Sequence, residues 1–250
     1  MPIALALEEM GFTRYGNTPS LFAEPPVDPL NLNTWNLKQE SDEQFTAAKY
    51  AMITGDKALS PNNNSDLKAL TNLNNKDGSS VKVVLISQAG SEGLDFKYIR
   101  QVHIMEPWYN MNRIEQIIGR TCRHCSHAAL EFSKRNVQIY LHGTTLYDEQ
   151  REAADLYVYR LAEIKAVRIG RVSRLLKKMS VDCLLNHEQS LFTVENMNQT
   201  VNQTLSSNQT IEYAVGDKPF TAICDYMKSC DYTCSPNANI TAEDVVMDTY

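Results

Sequence analysis

Alternating apolar and polar segments along the chain predict strands and helices in turn. The run at 81–86 is β-branched and almost wholly apolar, which is typical of a strand buried on both faces of a parallel sheet. Shorter apolar runs predict further strands at 49–54, 102–105 and 137–141. Apolar residues at helical spacing predict helices over 3–10, 67–73 and 111–122. This alternation predicts an α/β domain with a parallel sheet and helices on its faces.

The pattern changes at residue 147, where a long helical stretch begins and runs to about 166. A basic stretch from Arg168 to Met179 follows, and apolar residues share one of its sides. The cations of this region either form a groove that follows a phosphate backbone or make an ordinary solvated helix face. They are Lys165, Arg168, Arg171, Arg174, Lys177 and Lys178.

Beyond residue 196 the chain becomes polar and repetitive and ends in a cysteine-bearing segment. We therefore predict three parts: an α/β lobe at 1–166, a basic helical extension at 167–195, and an irregular, partly disordered tail at 196–250.

Composition narrows the class of protein. With 250 residues, 43% of them apolar, the chain can bury a core of ordinary globular size. A net charge of −6 argues against indiscriminate coating of nucleic acid, although it leaves room for a local basic groove. The sequence contains neither a transmembrane-length apolar run nor a signal peptide at Met1, so we expect a soluble intracellular protein with no membrane partner.

Six cysteines in 250 residues are too sparse to predict a disulfide scaffold. Cys122 and Cys125 stand beside two histidines, but a structural zinc normally needs a second ligand pair well apart in sequence. The tail cysteines form either a zinc site, with Cys183 as a fourth ligand, or ordinary free thiols. These tail residues are Cys224, Cys230 and Cys234.

Two segments carry residues suited to phosphate chemistry. The segment at 87–96 follows the most apolar strand and is rich in small residues, so its backbone N–H groups can face a phosphate. The segment at 116–123 has the spacing Q-x-x-G-R-x-x-R. Its arginines, Arg120 and Arg123, are three positions apart and can converge on one anion. Each signal is weak alone, but their order and spacing together are specific.

That combination resembles motifs V and VI in the C-terminal RecA-like lobe of superfamily 2 helicases and translocases. Four further segments resemble the helicase-like ATPases of nucleocytoplasmic large DNA viruses, some of which serve early transcription. They lie at 106–113, 123–127, 155–162 and 181–186. The similarity covers 45–192 well and 3–15 more loosely, and it implies a RecA-like fold.

The resemblance implies catalytic roles for the second segment. Arg120 and Arg123 match arginines that act as fingers on the γ-phosphate, where positive charge stabilises the developing negative charge. Gln116 matches a glutamine that contacts the phosphates or the opposite lobe. Gly119 falls in the same motif as a nucleotide-binding position, although close packing would explain it equally well.

The resemblance also implies binding roles for the first segment. Gly93 and Asp95 match positions near the nucleotide, and Ser87 and Gly90 match positions that bind the nucleic-acid backbone. The basic stretch would extend that track through Lys165, Arg168, Arg171 and Arg174.

The chain departs from the family in lacking a G-x-x-x-x-G-K-[ST] loop and a credible Walker B strand. The first strand of the lobe, expected before Ile3, is also missing. We therefore expect a fragment whose use of ATP and Mg²⁺ depends on a missing N-terminal RecA-like lobe. By itself the chain should hydrolyse little ATP.

The resemblance further implies DNA or RNA as partner, a viral RNA polymerase as a second partner, and a place in the virion or in a viral factory. Two alternatives remain open at this point. One is a non-catalytic nucleic-acid-binding or transcription-complex module that kept the lobe, and the other is a degenerate fragment without activity.

Overall fold

A computed structural model describes residues 1–23, 48–88, 94–147 and 151–235. Its helices are α1 (Pro2–Glu9), α2 (Asn63–Leu70), α3 (Met111–Thr121), α4 (Ala154–Met179), α5 (Val181–Asn186) and α6 (Val194–Met197). Its strands are β1 (Thr13–Arg14), β2 (Lys49–Ile53), β3 (Val83–Ile86), β4 (Gln101–Ile104), β5 (Gln138–Leu141), β6 (Thr200–Thr204) and β7 (Thr210–Ala214). The chain divides into one compact unit of residues 1–100 and 120–137 and a second of 101–119 and 138–250.

The first unit is built on a parallel sheet in the order β1–β2–β3. The register pairs Tyr50 with Val83 and Ile53 with Ile86. β2 is the buried strand, whereas β3 is half-buried and ends at the exposed Ile86. The prediction that 81–86 is buried on both faces is therefore wrong, because the described sheet places β2 at its centre and leaves β3 with a described neighbour on one side.

Side chains alternate along β2 and supply two separate clusters. Tyr50 and Met52 pack with Ala4 of α1 on one face of the sheet. Ala51 and Ile53 pack on the other face with residues that include Leu70 at the end of α2. This alternation fixes the register, because a slip by one residue would exchange the two faces.

A buried carboxylate ties α1 to the sheet. Glu8 is 3% exposed and accepts hydrogen bonds from the Tyr50 hydroxyl at 2.6 Å and from the backbone N–H of Leu21 at 2.8 Å. Gly11 follows α1 with a φ of 89°, a left-handed conformation that glycine adopts without strain and that is common directly after a helix.

The second unit holds a parallel pair, β4–β5, and an antiparallel hairpin, β6–β7. The two stretches predicted around residues 147–179 form one helix, α4, of 26 residues that crosses the predicted boundary at 166. The hairpin at 200–214 gives regular structure to part of the segment predicted as irregular tail. Among the described residues, no helix is both long and apolar enough to cross a membrane.

Candidate functional site

The candidate site is built around the end of α3. This helix begins after Trp108, whose ring lies 4.6 Å from the guanidinium carbon of Arg113, and it buries Ile114 to 2% exposure. Gln116 is exposed on the same helix. The helix was predicted from 111 to about 122 and ends at Thr121, so Arg120 lies in its last turn and Arg123 just beyond it.

The two arginines lie against the described part of the first predicted segment. Arg120 donates through Nη1 to the Leu94 carbonyl at 3.4 Å, and its own carbonyl accepts from the Phe96 N–H at 3.3 Å. Arg123 Nη1 lies 3.3 Å from Asp95 Oδ1, and the two side chains are 50% and 55% exposed. The segment with Asp95 and the segment with both arginines, predicted separately from the sequence, therefore meet within one unit.

A polar network holds the turn that follows Arg123. Ser126 is 5% exposed, and its hydroxyl donates to the Thr121 carbonyl at 3.2 Å. His127 Nε2 lies 2.7 Å from the Ile99 carbonyl oxygen, so the turn is also tied to the irregular segment after Phe96. Cys125 has a φ of 58°, which places this turn in the left-handed region at one residue. These hydrogen bonds fix the backbone of the turn that follows Arg123.

The remaining residues of the first segment are only partly described. Ser87 is half-buried directly after β3, and its N–H donates to the Ile53 carbonyl at 3.1 Å, which extends the sheet ladder by one step. Gly90 and Gly93 lie outside the described residues. The backbone N–H of Ser87 is therefore engaged in the sheet rather than directed at a phosphate.

Gly119 does not owe its identity to close packing. Among the residues that the structure describes, none lies within 4 Å of a Cβ atom built at this position. Gly119 is exposed in α3, in contrast to Gly170 of α4, where a Cβ atom would collide with the Asp225 carbonyl. Packing against the described residues therefore does not account for Gly119, and nucleotide binding stays a prediction.

One of the four cations of the predicted basic track has another role. Arg174 is 11% exposed and donates through Nε to Asp225 at 2.9 Å and through Nη2 to the Cys224 carbonyl at 2.9 Å. Its guanidinium also donates to the carbonyls of Asp231 and Ser229. These bonds use the guanidinium inside the fold, so the prediction that Arg174 binds nucleic acid is wrong.

The Asp225 carboxylate also forms an ion pair with a second cation of α4. Lys177 Nζ lies 2.6 Å from Asp225 Oδ1. Three predicted nucleic-acid contacts remain in solvent or near it: Arg168 and Arg171 are exposed, and Lys165 is half-buried with its ammonium 5.6 Å from the Tyr109 ring. The usable part of the track is therefore Lys165, Arg168 and Arg171.

The tail cysteines form disulfides. Cys183 is bonded to Cys234, and Cys224 to Cys230. Both tail interpretations made from the sequence, a zinc site and free thiols, are wrong, because a disulfide sulfur is neither a thiolate ligand nor a thiol. The sparse cysteine count misled because it averages over the chain, whereas these four residues lie within 183–234.

Cys122 and Cys125 are free and exposed. Their neighbour His127 has both ring nitrogens within hydrogen-bond distance of protein atoms, Ser126 Oγ and the Ile99 carbonyl oxygen. Within the described ranges no group of three or more metal-binding side chains is found.

Sequence reasoning missed two residues that shape the second unit. Asp225 is 5% exposed and neutralises two cations of α4. Tyr226 donates from its hydroxyl to Glu115 at 2.6 Å, next to Gln116 on α3. Burial raises the pKa of Tyr226, and the bond to the Glu115 carboxylate raises it further, so the phenol stays protonated as a donor. Nothing in the local sequence around either residue signals a partner more than 45 positions away.

Comparison with known proteins identifies the domain. Residues 32–125 match the helicase conserved C-terminal domain, which includes both arginines. Over these residues the chain is similar to a helicase C-terminal lobe. Such a lobe has a RecA-like α/β fold, in agreement with the parallel strand pairs of both units.

The relatives of this helicase lobe are viral. A protein of Acanthamoeba polyphaga mimivirus, named provisionally as an ATP-dependent RNA helicase, is 29% identical over 88% of this chain and 18% of its own length. A second mimivirus protein with the same provisional name is 37% identical over 48% of this chain and 15% of its own length. Nucleoside triphosphatase I of Choristoneura biennis entomopoxvirus is 33% identical over 53% of this chain and 20% of its own length. The lobe thus resembles helicases and nucleoside triphosphatases of nucleocytoplasmic large DNA viruses, and it spans a fifth or less of these three.

Proposed function

We propose that this chain is the second lobe of an ATP-dependent nucleic-acid helicase or translocase of superfamily 2, in which it supplies arginine fingers and part of the nucleic-acid track. The observation that carries the proposal is the contact of Arg120 and Arg123 with the segment Leu94–Phe96. This contact brings together in space the two segments that resemble motifs V and VI. The helicase domain match and the viral relatives support the same function.

The exposed position of Arg123 suits a finger. Its ion pair with Asp95 is half in solvent, and such pairs contribute only about 0.2–1 kcal/mol. A triphosphate carries more negative charge than one carboxylate, so it can attract the guanidinium away from Asp95 at little cost. Asp95 then acts as a resting partner that keeps Arg123 extended in the absence of nucleotide.

Arg120 is held more firmly. Its guanidinium donates to a carbonyl and its backbone accepts from Phe96, so its orientation depends on the 94–96 segment. A shift of that segment on binding nucleic acid would move Arg120 with it. Ser87 and Gly90, the positions matched to nucleic-acid binding, belong to the same 87–96 segment, so this segment would link the nucleic-acid track to the nucleotide.

ATP and Mg²⁺ would be held mainly by a partner lobe with a phosphate-binding loop, because this chain has no G-x-x-x-x-G-K-[ST] sequence. We therefore propose negligible ATP hydrolysis by the 250-residue chain alone. Combined with a lobe that carries the loop, covalently or in trans, it should hydrolyse ATP when nucleic acid is added.

The experiment compares the wild-type chain and Arg123→Ala, each alone and each with the loop-bearing lobe of a viral relative. We expect hydrolysis only in the combined wild-type sample, and a loss of about 10³-fold or more with Arg123→Ala, the usual effect of an arginine finger. Arg135→Ala serves as a control, since Arg135 donates to carbonyls of its own loop at 2.9 and 3.0 Å. Hydrolysis by the isolated wild-type chain above the Arg123→Ala level would contradict the proposal.

The alternative function is a nucleic-acid-binding or transcription-complex module without catalysis. The exposed cations of α4 favour it, because they need no nucleotide to bind phosphates. Fluorescence anisotropy with single-stranded DNA and with RNA separates the two. A pure binding module would lose affinity and salt dependence when Lys165, Arg168 and Arg171 become glutamine, and its function in the assembled protein would be unaffected by Arg120→Ala and Arg123→Ala.

A link to viral transcription, with RNA polymerase as partner in the virion or viral factory, rests on the resemblance to early-transcription ATPases. Affinity purification of the tagged protein from infected cells tests it. Recovery of polymerase subunits, reduced by neither nuclease nor salt, is the expected result; their absence from the purified material would contradict this part of the proposal.

A further inference from the structure

The long helix α4 carries a row of exposed aliphatic side chains along its second half. Soluble proteins rarely leave a contiguous apolar patch of this kind in solvent unless it has a partner. The proposed helicase function uses none of these side chains. The members of this apolar row are Ile169, Val172, Leu176 and Met179, each between 58% and 67% exposed.

A different side of α4 packs against the tail loop. A Cβ atom at Gly170 would collide with the Asp225 carbonyl, and Asp225 pairs with Arg174 and Lys177. With 3.6 residues per turn, these three positions lie on the far side of the helix from the apolar row. The loop therefore holds α4 in place while the apolar row stays exposed.

Cations border the apolar row on one flank only. No aspartate or glutamate occurs between residues 164 and 181, so carboxylates of the helix itself do not offset these charges. On the other flank the helical spacing places Ser173 and Ser180, which are uncharged. The cations of the charged flank are Arg168, Arg171 and Lys178, of which the first two are exposed and the third is half-buried.

The spacing of the apolar row fits a second helix. Its members follow each other after three, four and three positions, the spacing with which paired helices interlock their side chains. The row covers about three turns, or about 15 Å at 1.5 Å per residue. A partner helix of similar length could bury all four side chains at once.

Nucleic acid fits this surface less well. Phosphates would neutralise Arg168 and Arg171 but would leave the aliphatic side chains in solvent. Contacts with unpaired bases rely on stacking against aromatic rings, and the apolar row contains none. The row therefore points to a protein partner, although two of its flanking cations also belong to the proposed nucleic-acid track.

We infer that the apolar row and its cationic flank bind an amphipathic helix of a protein partner. That helix has aliphatic side chains at three- and four-residue spacing and carboxylates along the flank that meets Arg168 and Arg171. Burial of the aliphatic side chains supplies the attraction, and pairing of the carboxylates with the cations selects the partner and its orientation.

Two other occupants lack this complementarity. A second copy of the chain would bring further cations to the contact instead of carboxylates, and like charges oppose association. An anionic membrane surface would meet both flanks of an embedded helix, whereas one flank here carries Ser173 and Ser180 and no cation.

The test measures binding of a labelled synthetic peptide to the full chain by fluorescence anisotropy. The peptide is a helix of three heptads with leucine at the first and fourth positions and glutamate along one flank. A second peptide has lysine in place of glutamate. We expect the wild-type chain to bind the glutamate peptide and not the lysine peptide. Leu176→Ser should weaken binding about 10-fold or more, because it removes a leucine side chain from the buried contact.

Charge reversal tests the cationic flank. The double variant Arg168→Glu with Arg171→Glu should prefer the lysine peptide over the glutamate peptide. Leu73→Ser is the matched control, because Leu73 is 55% exposed elsewhere in the chain, and it should bind as the wild type does. Thermal unfolding of Leu176→Ser should match that of the wild type, since the replaced side chain is exposed.

Several results would overturn the inference. One is failure of the wild-type chain to bind the glutamate peptide, and another is equal affinity in wild type and Leu176→Ser. Single-stranded DNA, phosphatidylglycerol vesicles and sedimentation of the chain alone test the other occupants. Loss of any of these associations in Leu176→Ser would assign the row to nucleic acid, membrane or a second copy. A loss of ATP hydrolysis by Leu176→Ser in the two-lobe assembly would instead assign it to the contact between lobes.

Discussion

Arg174 and Asp225, 51 positions apart in sequence, form a nearly buried ion pair with Nε and Oδ2 separated by 2.9 Å. Asp225 also accepts from Lys177, and Arg174 donates to three backbone carbonyls around it. The pair is therefore the centre of the packing between α4 and the disulfide-bonded loop of the tail. It explains why that loop is ordered although its sequence is polar.

Asp225→Ala should destabilise the protein strongly. It leaves the Arg174 guanidinium buried without its counter-ion, and breaking a buried pair in this way typically costs about 3–5 kcal/mol. Urea unfolding followed by circular dichroism measures the free energy of unfolding. Glu152→Gln is the matched control, because the Glu152–Arg160 pair is solvent-exposed and its loss should change stability little. A similar effect of both substitutions would show that burial does not decide the cost.

Reduction of the disulfides should weaken the tail. The Cys183–Cys234 bond closes a sequence separation of 51, whereas Cys224–Cys230 closes one of 6. Loop-closure entropy grows with loop length, so we expect Cys183→Ala with Cys234→Ala to cost about 2–4 kcal/mol and the other pair less.

Thermal unfolding with and without dithiothreitol measures both disulfides. Cys122→Ser with Cys125→Ser, which leaves both bonds intact, should keep the reductant sensitivity of the wild type. Insensitivity of the wild-type midpoint to reductant would refute the expectation.

Two helical glycines should respond to alanine with opposite sign. No described residue lies near the Cβ position of Gly119, so Gly119→Ala should stabilise α3 by about 0.5–1 kcal/mol. Gly170→Ala should destabilise, because the new methyl group would collide with the Asp225 carbonyl. Chemical denaturation of the two variants and the wild type measures the sign of each change in the free energy of unfolding. If Gly119→Ala stabilises the fold but reduces ATP hydrolysis in the two-lobe assembly, Gly119 serves nucleotide binding.

Stability should fall on acidification through Glu8. Burial alone would raise the pKa of this carboxyl, but hydrogen bonds from Ser20, Tyr50 and two backbone N–H groups outweigh burial and lower the pKa below its ordinary value of 4.5. A lowered folded-state pKa means that the unfolded chain takes up the proton first. The stabilisation is therefore complete above pH 4.5 and is lost as the pH falls through the lower folded-state pKa.

Glu8→Gln should flatten the dependence of unfolding free energy on pH between about 5 and 3. This is the pH range in which carboxylates of ordinary pKa take up protons. Glu9→Gln, at the exposed neighbouring position, should leave the slope as in the wild type. An unchanged slope in Glu8→Gln would assign the acid sensitivity to other carboxylates.

Local patterns predicted the elements of the candidate site well, because periodicity and turn residues act over short distances. β2, β4 and α3 agree with their predicted spans within one or two residues. The Q-x-x-G-R-x-x-R spacing singled out Arg120 and Arg123 as candidate site residues. Asp95 was singled out separately, from the 87–96 segment. The contact between Arg123 and Asp95 depends on the tertiary fold, which brings the segment with Asp95 next to the end of α3.

The features that could not be predicted from the sequence depend on contacts between residues far apart in the chain. Arg174 has the same local surroundings as Arg171, and only the position of Asp225 makes one structural and leaves the other exposed. The four disulfide cysteines similarly gave no local signal of their partners. The apolar helical pattern over 3–10 gives no signal that Glu8 within it is buried.

The packing of α4 against the tail loop sets a practical limit on shortening the protein. A chain cut at residue 195, where composition changes, would lack Asp225 and Cys234, and would leave Arg174 without its acceptors and Cys183 without its partner. The backbone N–H of Ser235 also donates to the Lys178 carbonyl at 2.8 Å. A shortened version that keeps the end of α4 as it stands must therefore extend at least to Ser235.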